Sequence, residues 1–342
     1  MYTHIYADGV PALLGRLADT PEMQRLADVG MHCGTEYAQI QLYKNAKFPY
    51  SRLVHSVGVA GIVWRFTGDA VQATAGMLHD ISTPVFAHTI DFMNNDHILQ
   101  ESTEDKTRSF IENSCAIMSI LDESGISIED VCDYHMYPIA DNDTPMLSAD
   151  RLEYTLGNGY IVHNIDLRCI KSIYDDLSVA VNENGSEELC FRSVDKAAAF
   201  VDLSLRNSYF YVSDENRFLM QYLAEIMRSA MRSGVVSGDD LYSAETAVIE
   251  KLNKSEEHSA MWNNYINVSA VAVSDREMRD RFCVNISVKK RYIDPLVMSD
   301  GGVRRVSEVD SGLNVRIKEF LDLDFDRWVY LPGLCASPRP WF

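Results

Sequence analysis

A chain of 342 residues, 46% hydrophobic and 24% charged, can bury a full core in one large domain or two, and its ordinary composition excludes global disorder. Its formal net charge of −19 repels nucleic-acid backbones, so broad nucleic-acid binding is not expected. No apolar stretch reaches the roughly 18 residues that a membrane span needs. The start, Met1 to Tyr6, lacks a basic segment followed by an apolar core, and the seven cysteines include no Cys-x-x-Cys pair, so a cytoplasmic protein with free thiols is expected.

From residue 10 to about residue 270 the periodicity is helical. After Phe48-Pro49-Tyr50-Ser51, apolar residues recur at Val59, Ile62, Val63 and Phe66 until Gly68 can end the helix. His55 lies on it, with Arg52 three residues earlier on the same face. Residues 73–78 read as a buried helix rich in small residues, which ends ahead of Pro84 with the polar pair His79-Asp80 at its terminus. Neighbouring side chains on a helix diverge by about 100°, so those two can reach one point where the backbone bends out of the helix. Next come His88 and Asp91, three apart and on one face, and then an amphipathic run over 104–123 that Gly125 stops. Ser127-x-x-Asp130 resembles a helix start.

Further helices are predicted over 161–181, 193–205, 216–231 and 239–252, where Phe218, Met220, Tyr222 and Met227 read as core. Near residue 281 the period changes to two at Phe282, Val284, Ile286 and Val288, and Gly301-Gly302 can turn a second strand over 303–309. The expected fold is therefore mostly α, a helical region over 1–280 followed by a small β-containing region over 281–342 packed on it. The tail with Pro338 and Pro340 continues neither element. Two basic clusters, Lys289-Lys290-Arg291 and Arg304-Arg305, read first as solvated strand edges and second as a phosphate-binding surface between subunits.

His55, His79, Asp80 and Asp150 carry the chemistry. Two imidazoles and two carboxylates form a ligand set for a divalent ion of intermediate hardness, Mn, Fe, Ni or Zn, with Mg where waters complete the sphere. A lone helical histidine is more often a core residue, but Arg52 beside His55 argues for an anion bound there, because a cation next to a metal ligand is otherwise costly.

Four elements in order resemble the dGTPase-like branch of the HD-domain phosphohydrolases. Pro21-Glu22-Met23-Gln24-Arg25-Leu26 resembles its P-x-x-Q-R-L opening, and Ser51-Arg52-x-x-His55-Ser56-x-Gly58-Val59 resembles S-R-x-x-H-S-x-G-V. Leu78-His79-Asp80 with Pro84-x-Phe86-Ala87-His88 resembles LHD…P-F-S-H, and Asp150-Arg151-Leu152-Glu153-Tyr154 resembles D-x-x-D-Y. These cover about residues 1 to 160. Beyond them, Arg291-Tyr292-Ile293-Asp294-Pro295-Leu296 looks like a late strand of the same branch. The resemblance implies a helical HD domain whose His55, His79, Asp80 and Asp150 hold one metal. Arg52 would contact phosphate, Tyr154 sugar or phosphate, and His88 phosphate with Asp91 as its carboxylate partner. The implied reaction is metal-assisted attack of water on the phosphorus of a nucleotide, a deoxynucleoside triphosphate being the best single substrate, with Asp91 or Glu104 handling protons. Homo-oligomeric assembly is implied as well. Thr83 and Thr103 depart from the branch, which has histidines there, and losing a general acid or base forfeits on the order of 10²–10⁴ in rate. That departure keeps open a nucleotide-binding regulator with little turnover. His97 and His135, read first as ordinary surface or core histidines, keep open a two-metal phosphodiesterase or oxygenase.

Overall fold

The computed structural model describes residues 5–6, 9–94, 106–278 and 280–335, and the fold is mostly α. Two short helices, α1 (Ala12–Ala18) and α2 (Pro21–Arg25), lead into the pair that carries the site, α3 (Arg52–Thr67) and α4 (Ala70–Leu78). Local chemistry sets their ends. Ser51 Oγ accepts from the Val54 N–H at the start of α3, Gly68 closes it with φ +64°, and Asp69 Oδ1 accepts from the Val71 and Gln72 amides to start α4. The two helices approach closely at Gly76, where an added Cβ would lie 3.3 and 3.4 Å from Val59 and Val63.

The chain continues through α5 (His88–Met93), α6 (Thr107–Asn113), α7 (Cys115–Ser124), α8 (Ala149–Ile161) and α9 (Leu167–Asp175), then a hairpin of β1 (Leu177–Val181) and β2 (Glu187–Phe191). Four longer helices follow: α10 (Val194–Tyr211), α11 (Asp214–Arg232), α12 (Glu245–Lys254) and α13 (Glu256–Ile266). The remainder is β3 (Ala272–Ser274), β4 (Arg281–Val284), β5 (Leu296–Ser299), β6 (Gly302–Arg305), α14 (Val306–Val309), α15 (Ser311–Leu321) and β7 (Trp328–Cys335). One large apolar cluster, including Val59, Val63, Leu78, Leu152, Leu156 and Phe200, joins α3 and α4 to α8 and α10. A second, including Phe218, Tyr222, Met227, Val248 and Trp262, joins α11 to α12 and α13. The Phe218, Tyr222 and Met227 side chains are core, as their spacing predicts, each buried group contributing about 1.5–3 kcal/mol. Among the described residues no helix is long and apolar enough to cross a membrane.

Several predicted elements differ. The run expected over 104–123 breaks at Ser114, which is buried and accepts the Ile117 amide as the cap of α7. The helix expected over 161–181 ends at Asp175, because 177–181 finds an antiparallel partner in β2 and Asn182 Oδ1 closes the hairpin by accepting from the Asn184 and Ser186 amides. The strand expected over 303–309 stops at Arg305, and Val306 begins the short helix α14. The period-two run from Phe282 pairs only to Val284, and the late strand expected at Arg291 begins at Leu296. The β structure is also not confined to 281–342. One sheet has the order β1-β2-β5-β6 with β2 and β5 parallel, and the other has the order β3-β7-β4, all antiparallel. Arg305 is no solvated edge residue: it is buried and paired with Glu188 (2.6 Å) and Glu183 (2.9 Å), while Arg304 is exposed beside Glu308.

Candidate metal and phosphate site

His55, one turn into α3, Asp150, at the second position of α8, and the turn that follows α4 bring the four proposed ligands together. α4 ends at Leu78 with His79 still helical, the chain bends, and His79 and Asp80 converge as the bend requires. The bend is pinned from α2, where Arg25 Nη2 donates to the Ile81 and Thr83 carbonyls at 2.9 and 2.8 Å. His55 Nε2 lies 2.9 Å from Asp150 Oδ1 and 3.9 Å from Asp80 Oδ2. His79 Nε2 lies 3.4 Å from Asp80 Oδ2 and 3.7 Å from Asp150 Oδ1.

These atoms fit a divalent ion. Ligand atoms about 2.1 Å from a shared ion sit about 3–3.4 Å from one another, close to the separations here. The candidate donor atoms of His55, His79 and Asp80 all lie within 4.8 Å of one another, and Asp150 stands outside that compact group, reaching it through its oxygen near the two imidazoles. The far ring nitrogens are also occupied. His79 Nδ1 donates to the Gly76 carbonyl at 2.7 Å, and His55 Nδ1 lies 2.5 Å from Glu153 Oε2. With the Nδ1 protons assigned to these acceptors, both Nε2 lone pairs face the centre. Burial disfavours a charged His55 and lowers its pKa, while the Arg52 guanidinium, with the Thr83 hydroxyl bond, holds Asp80 well below the usual carboxylate range against its own burial.

Glu153 is the support that the sequence reading missed. It is fully buried one turn after Asp150, and its Oε2 also accepts from the Tyr50 hydroxyl. Burial pushes its carboxyl well above the ordinary range, and with a proton on Oε1 the Oε2 atom still accepts both bonds. Gly58 makes the room, since a Cβ there would stand 2.5–2.6 Å from the Glu153 side chain. A glycine one turn after His55 and an acid one turn after Asp150 were the available signals.

The residues around the centre fall partly as predicted. Arg52, buried, donates from Nη1 to both Asp80 oxygens at 3.0 Å, so it braces a ligand as well as lining the cavities. Thr83 donates its hydroxyl to Asp80 Oδ1 at 2.6 Å and so serves as a brace where the branch has a histidine. His88 Nδ1 lies 2.9 Å from Asp91 Oδ2, forming the predicted pair. Burial, with Arg291 and Arg52 nearby, lowers the His88 pKa, and Asp91 opposes that shift. The loop before His88 holds Phe86 and Ala87 at φ +59° and +42°, strain that the Phe86 amide bond to Glu245 and the Thr89 hydroxyl bond to the Cys33 carbonyl hold in place. His97, Thr103 and Glu104 lie outside the described residues.

Two cavities meet at the centre. The first, about 140 Å³, is lined by Arg52, His55 and Asp150 on one side and by Tyr154, Asn158 and Tyr211 on another. The second, about 330 Å³, runs past His79, Asp80 and Thr83 to Tyr134 and His135. Arg52 and His88 line both. His135 is half exposed, with its ring nitrogens 3.0 Å from Asp133 and 3.5 Å from Asp141. Asn158 joins His32 to Tyr211 through bonds of 2.7 and 2.9 Å, giving the first cavity an ordered polar wall that no motif revealed.

No protein-family model matches the chain. An uncharacterised protein of Bacillus subtilis, YdhJ, is 25% identical over 305 residues, covering 88% of this chain and 87% of its own. A protein of Cordyceps militaris named metal-dependent phosphohydrolase cns2 is 29% identical over 148 residues, 42% of this chain and 39% of that protein. Among solved structures, a hypothetical protein from Aquifex aeolicus has a TM-score of 0.64 at 18% identity and covers 94% of this chain and 93% of its own. A phosphohydrolase from Bacteroides thetaiotaomicron has a TM-score of 0.61 at 15% identity and covers 97% of both chains. The mostly α fold is therefore one that this chain shares, over nearly its whole length, with both solved proteins.

Proposed function

We propose that this chain is a divalent-metal-dependent phosphohydrolase acting on a nucleotide, with a deoxynucleoside triphosphate as the best single substrate. The observation that carries the reading is that the Nε2 atoms of His55 and His79 lie 2.9–3.9 Å from carboxylate oxygens of Asp80 and Asp150, beside an arginine and a histidine that line both adjoining cavities. The names of the Cordyceps and Bacteroides proteins support the phosphohydrolase class. The four motif resemblances support the nucleotide.

His55, His79, Asp80 and Asp150 would hold the ion. What it supplies when bound is Lewis-acid polarisation of a phosphoryl oxygen. Arg52 neutralises charge on the phosphoryl group as the P–O bond to the leaving group breaks and the bond to water oxygen forms. His88, oriented by the buried Asp91 at Nδ1, offers Nε2 to a phosphoryl oxygen or to the departing oxygen. The first cavity takes the body of the nucleotide, with Tyr154 and Tyr211 offering aromatic faces and Asn158 an amide.

A second reading is favoured by one contact. The Thr83 hydroxyl is committed to Asp80, so this position cannot donate a proton as a histidine would, and the chain would then bind nucleotide with little turnover. The deciding experiment incubates purified, metal-reconstituted protein with NTPs, dNTPs and nucleoside monophosphates and analyses products by liquid chromatography and mass spectrometry, with Asp80→Ala as the blank. Release of triphosphate plus nucleoside, or stepwise loss of phosphate, absent from the blank, is the expected result. Absence of any product despite stoichiometric metal would overturn the hydrolase and leave the binding protein.

A further inference from the structure

Residues 285–295 connect β4 to β5 outside any helix or strand and without ladder pairing. Their basic side chains alternate in direction. Lys289 and Arg291 line the first cavity with Arg52 and His88, whereas Lys290 turns away and its Nζ donates to the Leu321 and Leu323 carbonyls, the latter at 2.7 Å. Both ends of the run are anchored. Upstream, the buried Arg217 donates from Nη1 to the Ile286 carbonyl at 2.5 Å and the Phe325 carbonyl at 3.2 Å, and its Nη2 pairs with Asp214 at 2.6 Å. Downstream, the Asp294 amide donates to the Pro145 carbonyl at 2.9 Å, and the Asp294 carboxylate accepts from the Ser307 amide and hydroxyl at 3.0 and 2.6 Å. Arg305 Nη1 adds a bond to the Asp294 carbonyl at 2.9 Å.

A run held this way is not a solvated strand edge. Its order comes from buried arginines on either flank, and the anchored Lys290 fixes the alternation that turns its two neighbours toward the first cavity, Arg291 half-buried and Lys289 exposed at the rim. Arg291 lines the first cavity together with His88, Tyr154 and Tyr211, which puts its charge at the proposed nucleotide cavity. In a chain of net charge −19, cations gathered around one small cavity fit an anionic occupant.

We propose that Lys289 and Arg291 form a second anion subsite, distinct from Arg52 and His88 at the reacting phosphoryl group, which selects substrates carrying at least one further phosphate beyond the one attacked. The proposal rests on the phosphohydrolase reading of the metal centre. It makes residues 285–295 a specificity element, and it assigns an oligophosphate, not a lone phosphoester, to this site.

The test has two arms on the full-length, metal-loaded protein. The first measures kcat and KM for a nucleoside mono-, di- and triphosphate with wild type, Lys289→Gln, Arg291→Gln and Arg291→Lys. The second titrates inorganic triphosphate and inorganic phosphate into the same proteins by calorimetry, with circular dichroism and metal content checked for each. The expected result is that Arg291→Gln lowers the tri-over-mono ratio of kcat/KM by about tenfold or more, mainly through KM, with a smaller loss for Lys289→Gln and partial rescue by Arg291→Lys. Binding of inorganic triphosphate weakens in parallel. Equal losses on every substrate, no loss at all, or no triphosphate binding by wild type would overturn the subsite. Hydrolysis that is indifferent to Arg291 sinks this proposal and spares the hydrolase, while Arg291-dependent triphosphate binding without hydrolysis does the reverse. Should Arg291→Gln fail to fold, Lys289→Gln and Arg291→Lys give the same comparison.

Discussion

The candidate metal centre and the 285–295 run face the same cavity but are positioned in opposite ways. The centre is built on helix ends. Ser51 starts α3, Asp69 starts α4, and Ser148 Oγ accepts the Arg151 amide at the start of α8, so each candidate ligand sits within about one turn of a helix terminus or in the bend just past one. The run has no element of its own, and its cations are placed by Arg217 on α11, 69 residues before Ile286, and by Arg305 and Ser307, which bond to Asp294 within the run. Rigid capped helices suit a metal, whose ligands must meet within a few tenths of an ångström. A run tied down at two ends suits the recognition of an anion, which tolerates more.

The largest effect expected from breaking this contrast is at the ligands. Asp150→Ala or His55→Ala is expected to abolish stoichiometric metal by elemental analysis of the purified protein and to remove hydrolysis with it, and retention of full metal by either would break the assignment. Next is the anchor. Arg305→Ala leaves Glu188 buried without its cation, which costs on the order of 3–5 kcal/mol, measured by urea unfolding. If the run is held as described, triphosphate binding falls in Arg305→Ala protein that is still folded, while metal content stays stoichiometric.

The support behind His55 comes third. Glu153→Ala is expected to weaken metal affinity about 10–100-fold in chelator competition, with Glu153→Gln closer to wild type because its amide oxygen still accepts. Gly58→Ala should act in the same direction by displacing the Glu153 carboxyl. Unchanged affinity in Glu153→Ala would mean that His55 is oriented by packing alone.

The smallest effect expected concerns a carboxyl pair beneath the loops that carry His32 and His88. Burial pushes Glu36 and Glu245 each up to about 7, and the charge of Glu36 adds to the rise at Glu245. Glu245 accepts from the Gly30 and Phe86 amides at 3.0 Å and from the Tyr37 hydroxyl at 2.8 Å, whereas Glu36 Oε2 has no hydrogen-bond partner among the described residues. A carboxyl whose folded pKa lies above its unfolded value near 4.5 stabilises fully below about pH 4.5, and that stability is lost as the pH rises toward about 7. Urea midpoints should therefore fall across that window, and Glu36→Gln should flatten the fall. A wild-type midpoint that rises there would refute the linkage.

Much of the helical frame was legible because its signals are local. Gly68 and Gly125 close α3 and α7 where the sequence places those ends, acting on carbonyls within a few residues, and apolar spacing marks which face is buried. The hairpin at 177–191 was not legible, since the residues that make β1 a strand and not the end of α9 lie in β2 and, beyond it, in β5. Arg305 was misread for the same reason, because its partners Glu183 and Glu188 stand on another part of the chain.

The sequence by itself determined the donor types at His55, His79, Asp80 and Asp150, the helix caps beside them and the acidic balance of the chain, all properties of single residues or of near neighbours. Tertiary structure decided that these donors converge, that Glu153 and Thr83 brace them, and that Lys289 and Arg291 face the same cavity while Lys290 does not. The physical reason is that hydrogen bonding at helix ends acts over a few residues of sequence. The pairing of buried charges is governed by distance in space, which only the packed fold sets.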